Sequence, residues 1–344
     1  MISDIHCSIW TKELAPWMSC YEAKRKLYAS DPDYLAGCKE IFSDSALALV
    51  KNFLWTTGLV LLKPETVAGG YSNEVERLIT LNGYEISRRT TIFITKKQVE
   101  RLWYYAQGRY TPERMSLLCE LFEAGPSVLL VVRGNAGSRL PLSVLLTVLK
   151  GETNPEGRLP WTLRAQCGGV KNTFFNYIHT SDEPCDVVRE LAILKPDCMT
   201  SIVDPKHTSP SVEDGPLFPA LPKSSLDLSE GAVRERLICL ISQISDMEAR
   251  RAAFSCLEEP ITDAGRWAPL LLVEIEKSSL KLEPLDRVYL QSASVPLKRS
   301  SRTEAFPSCE LADWDRYILE LAKSDQIYAE RGQRRPSLTN NGCS

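Results

Sequence analysis

Asn176-Tyr177-Ile178-His179-Thr180-Ser181-Asp182 is the part of this chain from which its fold is best inferred. It follows Gly151-Glu152-Thr153-Asn154-Pro155, and it holds one of only three histidines in 344 residues. A histidine that accepts a phosphoryl group needs one neutral ring nitrogen aimed at phosphorus and an acceptor that fixes the other nitrogen. An asparagine three residues before His179 and a Ser-Asp pair after it are the surroundings that this chemistry requires.

Other residues of suitable type lie upstream and downstream of this histidine. Glu190, eleven residues later in a predicted helix, is a candidate acceptor for the second ring nitrogen. A phosphate in transfer needs cations and hydrogen-bond donors around it, with magnesium to neutralise the remaining charge. The candidates for these roles are Lys63, Thr153, Arg164 and Asn176.

Apolar and β-branched segments alternate with amphipathic ones between residues 57 and 194. The pattern predicts strands at 57–66, 84–95, 128–132 and 172–178, the last carrying His179 at its end. It predicts helices at 72–82, with Ser72 as N-cap, and at 97–105, 112–122, 142–149 and 183–193. Four strands with interleaved helices predict an α/β fold, a ferredoxin-like sandwich.

The motifs in residues 57–194, about 40% of the chain, resemble the nucleoside diphosphate kinase family. Lys63 matches the lysine of its Lys-Pro-Asp motif, and Arg164 matches the arginine of its Thr-Ile-Arg motif. Asn176 and His179 match its Asn-x-x-His motif. The Gly-Glu-Thr-Asn-Pro segment with Thr153 is intact.

The resemblance also implies roles, a fold and a cofactor. Tyr105 falls near a tyrosine that the family places close to the phosphates, and Glu190 fits a family position by its spacing. The family fold is the sandwich described above. Its reaction moves a γ-phosphate between nucleotides through phosphohistidine, with Mg²⁺ and a nucleoside triphosphate.

Four departures from the family pattern affect substrate binding or assembly. Thr147 stands where the family has a second phosphate-contacting arginine, and Glu113 or Arg114 stands where a base-stacking phenylalanine is expected. The stretch between Arg164 and Asn176 is two residues longer than usual. Gly69-Gly70 replaces an Arg-Gly pair, which weakens the expectation of a hexamer.

Two functions remain open on these residues. In the first, the domain is a kinase in which His179 takes the phosphate and Lys63, Arg164, Thr153 and Asn176 hold it. In the second, which the departures slightly favour, it is a scaffold or assembly factor with weak or no catalysis. Divergent family members with long flanks, in motile cilia and axonemal dynein assembly, have a similar architecture. If neither Arg114 nor Arg139 can reach the site and replace the missing charge, the kinase hypothesis weakens.

Composition excludes several other classes of function. The net charge of -3 and the pI near 5.8 argue against nucleic-acid or membrane binding through bulk charge. The N-terminus does not resemble a secretory signal. Eleven cysteines without a Cys-x-x-Cys pair predict reduced thiols rather than a metal site, and Cys167 and Cys185 are expected to be packing residues. We therefore expect a cytoplasmic protein, with the cilium or axoneme as the alternative location that the similar architecture suggests.

The regions outside the motifs are expected to bind protein partners. The predicted division is an N-terminal extension 1–55, the kinase-like domain 56–194, a linker 195–232, an α/β region 233–324 and a disordered tail 325–344. In the C-terminal region the pattern predicts a helix at 233–257, strands at 269–275 and 287–290, and a helix capped by Ser308. Ser337, after two arginines and a proline, is a possible phosphorylation site.

Overall fold

A computed structural model describes residues 14–42, 47–167, 174–194, 230–258 and 264–294. Its sheet has four strands: β1 Thr57–Leu62, β2 Glu85–Ile92, β3 Ser127–Arg133 and β4 Ile178–Thr180. The strand order is β2-β3-β1-β4, and every neighbouring pair is antiparallel. The predicted ferredoxin-like α/β fold is thereby confirmed.

Helices precede, interleave with and follow these strands. Before β1 lie α1 Glu22–Tyr28, α2 Pro32–Phe42 and α3 Leu47–Thr56. Within the domain lie α4 Pro64–Ala68, α5 Ser72–Leu81, α6 Lys96–Leu102, α7 Pro112–Glu123, α8 Leu142–Lys150, α9 Leu163–Gln166 and α10 Pro184–Leu194. After it lie α11 Glu230–Ile241, α12 Met247–Glu258, α13 Ala264–Lys277 and α14 Pro284–Ser294. Short 3₁₀ turns occupy Pro16–Met18, Tyr104–Arg109 and Pro155–Gly157.

The central strands form the core of the sheet. All six residues of β1 are buried, and so are the first six of β3, as expected for strands covered on both faces. Strand β2 lies at one edge and alternates between exposed and partly buried side chains over its first half. Helix α8 packs against β1 and β4, and α10 packs against α2, α6 and β1. Both helices flank the strand that carries His179.

Two special positions fix the ends of helices near the sheet. Pro64 begins α4 directly after β1, where a missing backbone N–H costs nothing. Gly151 ends α8 with φ of +82°, and a Cβ atom there would lie 2.4 Å from Thr162 Oγ1. Only glycine fits that position, which turns the chain into the loop containing Thr153.

The strand predicted at 172–178 is wrong in its placement. The observed strand begins at Ile178, and His179 is its middle residue, opposite Leu61 of β1. Tyr177 has φ of +63°, in the left-handed region, so the chain cannot run extended through it. Ser72 was also wrong as an N-cap, because it is already the first helical residue of α5.

All regular secondary structure in the described part of the C-terminal region is helical, so the strands predicted at 269–275 and 287–290 are wrong. Both lie within helices, α13 and α14. Trp267, Leu271 and Ile275 are buried at intervals of four residues, which is a helical spacing. The apolar residues between them obscure this spacing in the sequence. The helix predicted at 233–257 is two helices, and the Asp246 side chain accepts a hydrogen bond from the backbone of Ala249 at the start of the second. Ser308 and Ser337 lie outside the described residues.

Both flanks pack onto the kinase-like domain. Helix α2 of the N-terminal extension packs along α10, and α14 packs along α7. The rings of Phe175 and Tyr289 are stacked, with centroids 6.1 Å apart. Within the described part of the chain, we find no helix with the length and apolar character needed to cross a membrane. The domain boundaries expected from the sequence stay predictions.

Candidate functional site

A cavity of about 250 Å³ lies beside His179. The structure brings all seven sequence-predicted site residues to its wall: Lys63, Tyr105, Thr153, Arg164, Asn176, His179 and Glu190. They come from the position after β1, the turn after α6, the loop after α8, helix α9, the loop before β4, strand β4 and helix α10. Their roles toward a ligand remain predictions.

The ring of His179 is held at one of its two nitrogens. Nε2 lies 2.9 Å from Glu190 Oε1, and Ser181 donates to the other carboxylate oxygen at 2.6 Å. Burial raises the pKa of Glu190, but the neighbouring His179 and the Ser181 hydroxyl outweigh it and lower the pKa overall. The ionised carboxylate accepts the Nε2 hydrogen, which leaves Nδ1 with its lone pair. Nδ1 makes no hydrogen bond to any described residue, so the geometry can present it to an electrophile.

The backbone before His179 is fixed by contacts to the end of β1. Tyr177, in the left-handed conformation, donates its N–H to Glu65 Oε1 at 3.0 Å. Its carbonyl accepts the backbone N–H of Lys63 at 3.0 Å and the hydroxyl of Thr66. A non-glycine residue in this conformation persists only where its surroundings hold it. These bonds set the direction in which β4 presents the histidine.

Arg164 ties three chain segments of the site together. Its guanidinium donates to the carbonyls of Asn176, Gly151 and Ile178 at 2.8, 2.9 and 2.6 Å, and to Thr153 Oγ1 at 3.2 Å. A guanidinium has five N–H donors, so four are engaged with the protein itself. The observed contacts make Arg164 a clamp on the loops that surround His179. A bound phosphate could accept a hydrogen bond from the one remaining N–H of Arg164, or it would have to displace one of the three carbonyls from the guanidinium.

Lys63 is a buried cation with one weak partner. The residue is 2% exposed, and Nζ lies 3.3 Å from Glu65 Oε1. Burial lowers the pKa of Lys63 to about 8, although the Glu65 carboxylate opposes the shift. An anion entering the cavity would restore the ammonium form. Asn176 is similarly short of partners, since its buried Oδ1 accepts no hydrogen bond from the described residues.

Tyr105 is held by the N-terminal extension. Its hydroxyl donates to Asp31 Oδ2 at 2.5 Å, and its ring stacks on Tyr28 with centroids 5.4 Å apart. Arg189 lies 4.9 Å over the same ring and donates to the same Asp31 oxygen at 3.0 Å. The resemblance places the Tyr105 hydroxyl near phosphate, but in the structure that hydroxyl is hydrogen-bonded to Asp31. The residue does line the cavity.

A buried ion cluster joins α1 to the start of α10. Lys24 Nζ lies 2.6 Å from Asp186 Oδ2 and 2.8 Å from Glu183 Oε2. Burial alone would lower the pKa of Lys24, but the two carboxylates outweigh it and raise the pKa well above its usual value. Ser19 also donates to Glu183 at 2.7 Å. The sequence analysis placed no site residue in the N-terminal extension 1–55, yet its Lys24 is part of the cavity wall.

The position that lacks an arginine is occupied by a hydrogen-bonded threonine. Thr147 Oγ1 donates to Asp182 Oδ1 at 3.0 Å and lies 3.0 Å from the hydroxyl of Thr180. One turn later on α8, Lys150 Nζ lies 3.1 Å from the same Asp182 oxygen. Lys150 lines the cavity, and no family motif pointed to it. Its position three residues after Thr147 on a predicted helix was the sequence signal that could have found it.

Arg114, but not Arg139, reaches the cavity. Arg114 is 7% exposed, lines the cavity and places its guanidinium 4.1 Å over the ring of Tyr110. Arg139 is exposed and lies outside the cavity wall. Because Arg114 lies in the first turn of α7, where the resemblance places a base-stacking phenylalanine, the wall here is cationic rather than apolar. The condition that would have weakened the kinase hypothesis, with neither arginine at the site, is therefore not met.

The cavity suits magnesium that arrives with a phosphate ligand. Magnesium keeps several waters and binds one or two carboxylates together with substrate phosphates. Among the described residues, three possible ligands converge at Glu183, Cys185 and Asp186, but they are buried and Lys24 neutralises their charge. Asp182, whose side chain is 44% exposed, is the carboxylate on the cavity wall that an incoming ion could share.

Comparison with known proteins places this chain in a family. A family model described as nucleoside diphosphate kinase matches residues 56–199. The nucleoside diphosphate kinase of Thermococcus kodakarensis is 31% identical over 141 residues, which cover 40% of this chain and 76% of that enzyme. A crystal structure of the Aquifex aeolicus nucleoside diphosphate kinase is 23% identical, covering 40% of this chain and 93% of that one, with a TM-score of 0.34.

Two longer proteins match the same region. The thioredoxin domain-containing protein 3 homolog of Heliocidaris crassispina is 32% identical over 158 residues, 45% of this chain. Human thioredoxin domain-containing protein 6 is 32% identical over 152 residues, 43% of this chain. The chain spans 18% and 44% of the lengths of these two relatives. With its fold, its site and the match to the Thermococcus enzyme, this chain belongs to the nucleoside diphosphate kinase family.

Proposed function

We propose that residues 56–194 form an active phosphotransfer domain. In it, His179 takes the γ-phosphate of a magnesium-bound nucleoside triphosphate and gives it to a nucleoside diphosphate. The observation that carries the proposal is the bond from His179 Nε2 to Glu190, which Ser181 supports and which leaves Nδ1 available beside a cationic cavity. Orientation of one ring nitrogen by a carboxylate is the arrangement that makes histidine a nucleophile.

The reaction proceeds in two steps. His179 Nδ1 forms a bond to the γ-phosphorus while the bond from that phosphorus to the bridging oxygen breaks, and the nucleoside diphosphate leaves. A terminal oxygen of the acceptor diphosphate then attacks the same phosphorus, and the nitrogen–phosphorus bond breaks. Lys63, Thr153 and Asn176 bind the phosphate, and Glu190 stabilises the positive charge on the phosphorylated ring. Arg164 contributes chiefly by fixing the loops that carry these groups.

Incubation with γ-labelled ATP and magnesium tests the proposal. We expect a label on the protein that is labile in acid and stable in alkali, as phosphohistidine is. A chase with unlabelled GDP should move the label into GTP. A natively folded protein that takes up no label would exclude the enzyme.

A second candidate is a scaffold that keeps the fold with little or no catalysis. It is favoured by the packing of both flanks against the domain and by the engagement of Arg164 with backbone carbonyls. The partner proteins would bind the flanks, and a role in ciliary or axonemal dynein assembly is the specific form of this proposal. In ciliated cells that lack the protein, rescue by a His179→Gln variant would support the scaffold, and rescue by wild type alone would support the enzyme.

The affinity for phosphate ligands is expected to fall as the pH rises through about 8. Burial holds the pKa of Lys63 near 8, so the ammonium that binds phosphate is lost above that pH. The dissociation constant of ADP should rise by up to about tenfold per pH unit between 8 and 9.5. Titration calorimetry across that range measures it. A Lys63→Met variant should bind ADP weakly, and its dissociation constant should not rise between pH 8 and 9.5. If the dissociation constant rises equally with pH in both proteins, Lys63 is not the group responsible.

The same residue has the opposite effect on folding. An unfolded lysine has a pKa of about 10.4, so between pH 8 and 10.4 the unfolded chain binds more protons at this position. The contribution of Lys63 to stability therefore rises with pH where its contribution to binding falls. Comparing wild type with Lys63→Met in urea at pH 7.5 and 9.5 separates the two effects.

A further inference from the structure

Lys150, like Lys63, is a cation of the cavity wall with a single hydrogen-bond partner among the described residues. Lys24 is paired with two carboxylates, Arg189 with Asp31, and Arg164 with three carbonyls and a hydroxyl. Lys150 makes one hydrogen bond, to Asp182 at 3.1 Å. An ammonium has three N–H donors, so two of them have no hydrogen-bond partner among the residues that the structure describes.

The surroundings of Lys150 make this shortage costly. Its side chain is only 12% exposed, so water replaces the missing partners poorly. Burial lowers the pKa of Lys150, the Asp182 carboxylate opposes that shift, and the nearby Arg164 adds to it. A buried cation in this condition is stabilised by any anion that enters the cavity.

The partner of Lys150 does not depend on it. Thr147, one turn earlier on α8, donates to the same Asp182 oxygen at 3.0 Å. Asp182 would therefore keep a hydrogen bond if Lys150 turned its donors toward a ligand. In this chain the Thr147 hydroxyl hydrogen-bonds to Asp182, so Lys150 can bind a second anion.

We propose that Lys150 binds the phosphate chain of the nucleotide in this cavity. The inference takes the nature of the ligand from the proposed function, but it concerns a residue that none of the family motifs includes. Lys150 supplies charge on the face of α8 that Thr147 leaves neutral. Its role is binding, so it should act on the affinity for phosphates more than on the rate of transfer.

Calorimetric titration of the full chain with inorganic tripolyphosphate and with ADP tests this inference. Lys150→Met should weaken both ligands by about 10–100-fold, the usual range for one charge-assisted hydrogen bond. Lys150→Arg, which keeps the charge, should bind within a few-fold of wild type. Lys26→Met is the matched control, because Lys26 is exposed, lies outside the cavity wall and pairs with Glu22 within α1. Equal losses in the Met and Arg variants would assign the effect to packing and overturn the inference.

A double variant separates the loss of a phosphate contact from repulsion of the ligand by an uncompensated Asp182 carboxylate. Lys150→Met leaves Asp182 with less compensation, and Lys150→Met with Asp182→Asn removes both charges. If Lys150 contacts phosphate, the double variant still binds weakly. Recovery of wild-type affinity in the double variant would show that repulsion by Asp182 caused the loss, and the inference would fail.

The failure of this inference and that of the proposed function give different results. If wild type binds tripolyphosphate through Lys150 but takes up no label from ATP, the inference stands and the enzyme does not. If wild type is labelled and Lys150→Met has an unchanged KM for ATP, the enzyme stands and the inference does not. We expect the label, a raised KM and a nearly unchanged kcat.

Discussion

A chain carrying His179→Gln is expected to take up no phosphohistidine from γ-labelled ATP. Glutamine can still donate to Glu190 and can fill much of the ring's space beside Trp103, whose centroid lies 5.3 Å from that of the histidine. It offers no nucleophilic nitrogen, so the first step cannot occur. Removing a nucleophile from a concerted catalytic set costs at least about 10³-fold, which places transfer at background.

The control for this variant is a second histidine substitution. His207 lies in the linker expected from the sequence, outside the described residues, and His207→Gln should label as wild type does. Circular dichroism should show that both variants keep the wild-type fold. Label retained by His179→Gln would mean that another residue is phosphorylated, and the site proposed here would be wrong.

The substitution Lys24→Met is expected to destabilise the protein by about 3–5 kcal/mol, the cost of breaking a buried ion pair from one side. Lys24 compensates Asp186 and Glu183, whose side chains are 10% and 0% exposed. The pKa of Asp186 is already raised to about 6 by burial, and Lys24 is the cation that opposes the rise. Without it two adjacent buried carboxylates would repel each other, and α1 would lose its anchor on α10.

Lys26 provides the comparison for this measurement. It lies two residues further along α1, and its side chain is 70% exposed in an i,i+4 pair with Glu22. Such exposed helix pairs contribute about 0.3–0.5 kcal/mol, so Lys26→Met should change urea unfolding very little. If Lys24→Met and Lys26→Met shift the unfolding midpoint equally, the N-terminal extension is not held through this ion cluster.

The motifs predicted the fold and the members of the site because they are local in sequence. A buried apolar run such as 57–62, ended by Lys63-Pro64, predicts a strand and its end almost without tertiary information. The predicted strand that held His179 was misplaced because Tyr177 takes a left-handed conformation that tertiary contacts impose. The intrinsic backbone preferences of tyrosine do not predict this conformation.

The roles of the charged residues were harder to predict because their partners are distant in the chain. Lys24 meets Asp186 across 162 positions, and no spacing rule links them. Arg164 was expected to face phosphate, but the carbonyls that it binds are backbone groups without a sequence signature. The C-terminal segments were misread as strands because a short apolar run such as 270–273 fits either a strand or a buried helix.

The measurement that tests the central claim most directly is the position of the phosphate on the histidine ring. Wild-type protein is incubated with ATP and magnesium, digested in alkali, and the phosphohistidine isomer is identified by phosphorus NMR against both standards. Because Glu190 holds Nε2 at 2.9 Å, we predict phosphate on Nδ1 of His179. Phosphate on Nε2, or no phosphohistidine on a folded chain, would contradict the account.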